Sequence, residues 1–114
     1  MAAGKLNILI EQGATFSKVL TVKADDNTPI NLTGKTLRGQ VRYNINDSSP
    51  ALTFTFTLAN QSTNPGVATW LASATDTGAL TQSRGIYDVE LVDGTSVTRI
   101  LEGTAFISLN VTRA

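Results

Sequence analysis

The sequence predicts an all-β, immunoglobulin-like antiparallel sandwich of seven to eight strands with one short helical turn. Three observations predict it. Short alternating segments recur at roughly ten-residue spacing, and a turn signal closes each of them. Thr is abundant while charged residues make up only 16% of the chain. Thr suits the solvent face of a pleated sheet, where its branch packs on cross-strand neighbours and its hydroxyl meets water. A length of 114 residues fits one domain over 1–114 with extended terminal segments, and such a chain buries roughly two-thirds of its unfolded surface without a staple.

The elements follow in order. Leu6 to Ile10 is an apolar run broken by Glu11-Gln12-Gly13. Phe16 to Ala24 reads as a strand with Phe16, Leu20 and Val22 on one face, although Lys18 falls on that apolar face and Val19 on the polar one. Asp25-Asp26-Asn27-Thr28-Pro29 is a turn, because Asx side chains bond locally and Pro29 cannot donate to a ladder. A short apolar piece, Ile30 to Leu32, ends at Thr33-Gly34. Thr36 to Tyr43 alternates with Leu37, Val41 and Tyr43 inward and Arg38, Gln40 and Arg42 outward. Gly39 shares the inward face, where a missing side chain admits a ring or another backbone.

Ala51 to Leu58 has the cleanest period of two, setting Leu52, Phe54, Phe56 and Leu58 against Thr53, Thr55 and Thr57, so its register is firmly specified. Asn64-Pro65-Gly66 predicts a type II turn with Gly66 at positive φ. Val67 to Leu71 carries Trp70, and Ala72 to Leu80 is one short helical turn crossing between sheets, with Ser73 as a cap. Gly85 to Val92 faces Tyr87, Val89 and Leu91 inward. Asp93-Gly94 predicts a type I′ hairpin, and the last strand, Val97 to Val111, is expected to bulge at Gly103. Tyr87 stands where such sandwiches place a corner tyrosine tied back to the preceding corner; a half-buried strand aromatic is the other reading.

The residues that carry chemistry are missing. With no His and no Cys, a Ser-His-Asp triad, a thiol nucleophile and the usual zinc sites are excluded, as are disulfides. Asp88 and Glu90 share a strand face at ~7 Å, within the glycosidase range, but alternation with core residues makes a solvated face the better reading. Asp25, Asp26 and Asn27 could offer oxygens to calcium, yet they lack the glycine and distal Glu of a loop site. Trp70 reads as a core ring rather than a sugar platform, and Arg38 and Arg42 as edge guards rather than contacts to an acidic partner. No catalytic, cofactor-binding or metal-binding residue is assigned.

Nine basic and nine acidic residues cancel, so neither nucleic acid nor a membrane surface is expected as a partner. No apolar run approaches the ~20 residues of a membrane-spanning helix, and Met1 to Leu6 lacks the apolar stretch of a secretory signal. The sequons at Asn31, Asn46, Asn60 and Asn110 are then chance products of an Asn- and Thr-rich chain.

Several segments together resemble a known family. They are Ile10-Glu11-Gln12-Gly13-Ala14-Thr15-Phe16, Thr28-Pro29-Ile30-Asn31-Leu32-Thr33-Gly34, Leu37-Arg38-Gly39-Gln40-Val41-Arg42, Gly85-Ile86-Tyr87-Asp88-Val89-Glu90-Leu91 and Arg99-Ile100-Leu101-Glu102-Gly103. The chain resembles small structural proteins of tailed bacteriophages and is similar to the immunoglobulin-like N-terminal domain of phage baseplate upper proteins. The resemblance spans nearly the whole chain and rests on turn glycines and strand patterns. It implies a non-enzymatic virion component of the tail, baseplate or neck, assembled in the bacterial host cytoplasm beside other phage structural proteins, as a homo-oligomer or multi-copy ring. Met1 to Lys5 and Asn110 to Ala114 are the expected docking arms. A capsid decoration protein and a carbohydrate-binding or adhesion module, the latter presenting Trp70 and Tyr43, are the alternatives.

Overall fold

In the computed structural model, which describes residues 3–112, two sheets pack face to face. The first contains β1 (Gly4–Lys5), β2 (Ile8–Glu11), β4 (Thr36–Arg42), β5 (Leu52–Thr53), β8 (Arg84–Asp93) and β9 (Ser96–Ser108). Its order is β1-β9-β8-β4-β5, with β2 following β1 along the same side of β9. The second contains β3 (Phe16–Thr21), β6 (Thr55–Leu58) and β7 (Val67–Ala72) in the order β3-β7-β6. One helical turn, α1 (Ala74–Gly78), carries the chain from β7 back to β8. The all-β sandwich read from periodicity is therefore the fold.

Alternation builds the core. On β8, Tyr87, Val89 and Leu91 are buried while Asp88 and Glu90 face outward. On β7, Ala68, Trp70 and Ala72 are buried. Trp70 is fully enclosed and packs against Phe54 at 5.1 Å, Phe16 at 5.4 Å, Tyr87 at 5.5 Å and Phe56 at 6.1 Å between ring centroids. Each such aromatic pair contributes ~0.5–1.5 kcal/mol beyond area burial. Its indole Nε1 is buried without a hydrogen-bond partner, so hydrophobic contact outweighs the desolvation of one donor there. Gly39 lies in contact range of the Phe54 and Phe56 rings, as the inward glycine predicted.

Turn chemistry holds in most places. Gly66 has φ +81°, and Val67 N–H donates to Asn64 C=O, which is the turn that Asn-Pro-Gly specifies. Ser73 caps α1 by accepting from Asp76 N–H at 3.1 Å. The Asp25–Pro29 segment is a tight polar turn with Asn27 at φ 71°.

Four expectations are corrected. The sheet is not wholly antiparallel, because β1 and β2 run parallel to β9. Ala51 to Leu58 is not one strand: β5 belongs to the first sheet and β6 to the second, with Phe54 between them, so the described residues show nine strand segments. The hairpin after β8 turns on Gly94-Thr95, since Asp93 pairs with Ser96 and only Gly94 takes positive φ. That is the pattern of a turn with glycine at its first central position, not of type I′. Finally, the bulge in β9 is at Ile100, between the pairs Val89–Leu101 and Glu90–Arg99, while Gly103 pairs regularly with Tyr87.

Candidate docking surfaces

The two outer faces differ in chemistry because their outward residues differ in kind. On the first sheet, register aligns Lys5, Glu102, Asp88, Gln40 and Thr53 across five strands, and beside them Arg99, Glu90 and Arg38. Lys5 Nζ donates to Glu102 Oε1 at 2.6 Å and Arg38 Nε to Glu90 Oε1 at 2.7 Å. Arg99 reaches Asp88 at 3.3 Å and Glu102 at 3.6 Å. Asp88 and Glu102 are like charges directly opposite, an unfavourable pairing that Arg99 offsets. Burial, with the neighbouring carboxylates of Glu90 and Glu102 adding to it, holds the Asp88 carboxyl above its ordinary range against the pull of Arg99 and Arg38. The hydrogen bond from Lys5 holds Glu102 below its own.

The second sheet turns Ser17, Val19, Thr21, Thr55, Thr57, Val67, Thr69 and Leu71 outward. None of these is charged. Lys18 takes the inner-face position opposite Trp70 on the edge strand β3 and stays exposed. An inward-pointing charge on an edge strand discourages another strand from adding there.

Between the sheets, the flank at β2 and β3 is open. The chain crosses it through a turn rather than a strand, and a cleft of about 400 Å³ remains, lined by Asn7 to Leu9, Glu11 and Ala14 to Lys18. Gln12 ties the turn down, its Nε2 donating to Leu80 C=O at 2.7 Å and its Oε1 accepting from Asn110 N–H at 2.9 Å. The buried Thr77 hydroxyl donates to Ala14 C=O at 2.7 Å. Exposed apolar side chains gather at this end. Leu9 is 59% exposed beside its register partner Phe106, over which the Arg84 guanidinium lies, and beyond β9 Leu109 is 51% and Val111 94% exposed.

The N-terminal strands are strapped onto β9. Leu6 N–H donates to Glu102 C=O at 3.0 Å, Thr104 N–H donates to Asn7 Oδ1 at 3.1 Å, and the Tyr87 hydroxyl donates to Leu6 C=O. Burial pushes the Tyr87 phenol up to about 12. The strap needs a glycine at 103, where a Cβ would stand 2.0 Å from the Leu6 carbonyl oxygen.

The residues singled out from sequence take these places. Asp88 and Glu90 are paired members of the charged face. Asp26 caps the polar turn, its Oδ1 accepting from Thr28 N–H at 3.1 Å, and these bonds lower its pKa. No group of three or more Asp or Glu that could hold a metal ion occurs among the described residues, and no helix there is long and apolar enough to cross a membrane. Trp70 is a core ring. Tyr43 is half-buried with its hydroxyl accepting from Thr81 N–H at 2.7 Å. β5 covers β4 only at Gln40 and Val41, and both arginines are engaged within the chain rather than left as free edge guards: Arg38 pairs with Glu90, and Arg42 donates to Asp47 C=O and Gln40 Oε1. The guard is Lys18, whose signal was its place on an apolar face. Tyr87 ties to the N-terminal strap rather than to the preceding corner. Gly4 and Lys5 are paired within the chain and are not an arm; Met1, Ala2, Arg113 and Ala114 lie outside the described residues.

No protein-family model matches the chain, and no curated protein matches it.

Proposed function

We propose that this chain is a structural component of a tailed-phage virion that docks on tail, baseplate or neck proteins. The observation that carries the reading is the open flank: an uncovered strand edge at β2, a cleft beside it, and the exposed apolar side chains Leu9, Phe106, Leu109 and Val111 at the same end. An unpaired edge offers main-chain donors and acceptors for β-augmentation, and adjacent apolar side chains give that contact specificity. The resemblance to tailed-phage structural proteins supplies the setting. Zero formal net charge lets many copies pack without mutual repulsion.

The test is particle incorporation. The tagged chain is expected to co-purify with intact particles and to give density below the portal; density on capsid symmetry axes would assign it to shell decoration instead. A Leu9→Asp, Phe106→Asp variant that stays folded by circular dichroism is expected to be lost from particles. Incorporation of that variant at wild-type occupancy would remove the flank from the docking surface, and absence of the wild-type chain from particles would overturn the reading.

A further inference from the structure

We infer that the cleft between β2 and β3 receives the C-terminal segment of a second copy of this chain, with Leu109 to Thr112 adding as a strand along the open edge of β2. The inference rests on the docking function proposed above and names the partner of that flank.

The lengths and faces agree. β2 offers four residues, Ile8–Glu11, and the donor segment matches them one for one. Leu109 and Val111 are two apart, so an extended backbone puts both on one face. Val111, at 94%, is the most exposed large apolar side chain described. The acceptor presents Leu9, 59% exposed, with Ala14 and Phe16 lining the cleft.

The donor must come from another copy. β9 lies on the paired side of β2, Ser108 stands opposite Glu11, and Gln12 holds Asn110 N–H. The chain's own tail thus leaves at the turn end, away from the uncovered edge of its own β2. Charge also selects the acceptor. Lys18 guards the edge of β3, so of the two strands that flank the cleft β2 is the one open to addition. Glu11, at the rim of the cleft, makes no ion pair among the described residues, and Arg113 follows the donor segment in the sequence.

Passed on in one direction, such a contact gives rings or open filaments; exchanged reciprocally between two copies, it gives a two-fold dimer. A four-residue strand falls below the ~1,200 Å² of standard interfaces, so one junction is weak and gains from repetition.

A peptide of sequence Leu-Asn-Val-Thr-Arg-Ala, titrated into the isotope-labelled full chain, tests the inference. Saturable amide shifts are expected at Ile8 to Glu11 and Thr15 to Lys18. Glu11→Lys, at an exposed position, is expected to weaken peptide binding several-fold. Leu109→Asp, Val111→Asp is expected to weaken self-association in sedimentation by at least about tenfold, the scale of losing apolar anchors. Peptide shifts that are absent or centred elsewhere, or a double variant that self-associates like the wild type, would overturn it. Peptide docking by a chain that never enters particles would leave this contact standing and remove the virion role. The double variant entering particles normally, with no peptide docking, would do the reverse.

Discussion

The chain passes between its two sheets on both flanks, and the flanks end differently. At β5 and β6 the crossing is a single extended segment that changes sheet at Phe54. The Phe54 ring is buried between Phe16 and Trp70, and its N–H donates to Gly39 C=O at 2.9 Å. That flank is sealed by a side chain. At β2 and β3 the crossing is the turn Gln12-Gly13-Ala14-Thr15, whose residues are too small or too polar to fill the space between sheets. Its hold comes from hydrogen bonds to Leu80, Asn110 and Thr77, and a cleft is left over. One sandwich can therefore close one side with a ring and keep the other open, provided polar bonds fasten the open side.

The contrast is broken most severely at the sealed flank. Phe54→Ala is expected to lower unfolding free energy in urea by ~3–5 kcal/mol, the cost of a large aromatic-to-Ala cavity, and to open a second cleft there. Gly103→Ala should act on the strap: the added methyl must push the Leu6 carbonyl away. Hydrogen exchange at Leu6 and Ile8 should accelerate well before global unfolding, and unchanged protection would show that the strap does not depend on close approach. Gln12→Ala, removing two bonds at the open flank, should cost ~1–2 kcal/mol and leave the β5–β6 flank unaltered in exchange.

Asp88 gives a pH test of the charged face. Its raised pKa means that the folded chain holds this proton more tightly than the unfolded chain. The stability it contributes is full below the ordinary carboxylate value and declines as pH rises through the raised one. Asp88→Asn should flatten that part of the curve of Tm against pH, the decline that sets in above the ordinary carboxylate range. The smallest expected effect on stability is Lys18→Val, within about 0.5 kcal/mol as at other exposed sites. It should nonetheless raise turbidity, because β3 loses its guard, and that association should not respond to the tail peptide.

Local chemistry was legible in the sequence and pairing across distance was not. The inward rows of β4, β6 and β8, the positive φ of Gly66 and the Ser73 cap depend on neighbours a few residues away. The sheet switch at Phe54 left no mark, because both sheets face one core and inward residues keep alternating straight through the crossing. Gly103 stands out in the sequence without its reason: a bulge and a close backbone approach both call for glycine, and only the partner strand tells them apart. Lys18 was visible as a fault in a pattern, but its meaning depends on β3 being an edge. The parallel pairing of β1 and β2 joins residues nearly a hundred positions apart, and no turn announces it.

That parallel pairing has a mechanical consequence. The first strands and the last run side by side in the same direction, so tension applied through the two ends of the chain drags them past each other along their length. The bonds from Gly4–Leu101 to Glu11–Ser108 are then loaded together in shear, where an antiparallel arrangement would let them peel one at a time. Resistance to stretching is concentrated in the strap, and the Tyr87 hydroxyl and the bare Gly103 set how tightly it grips.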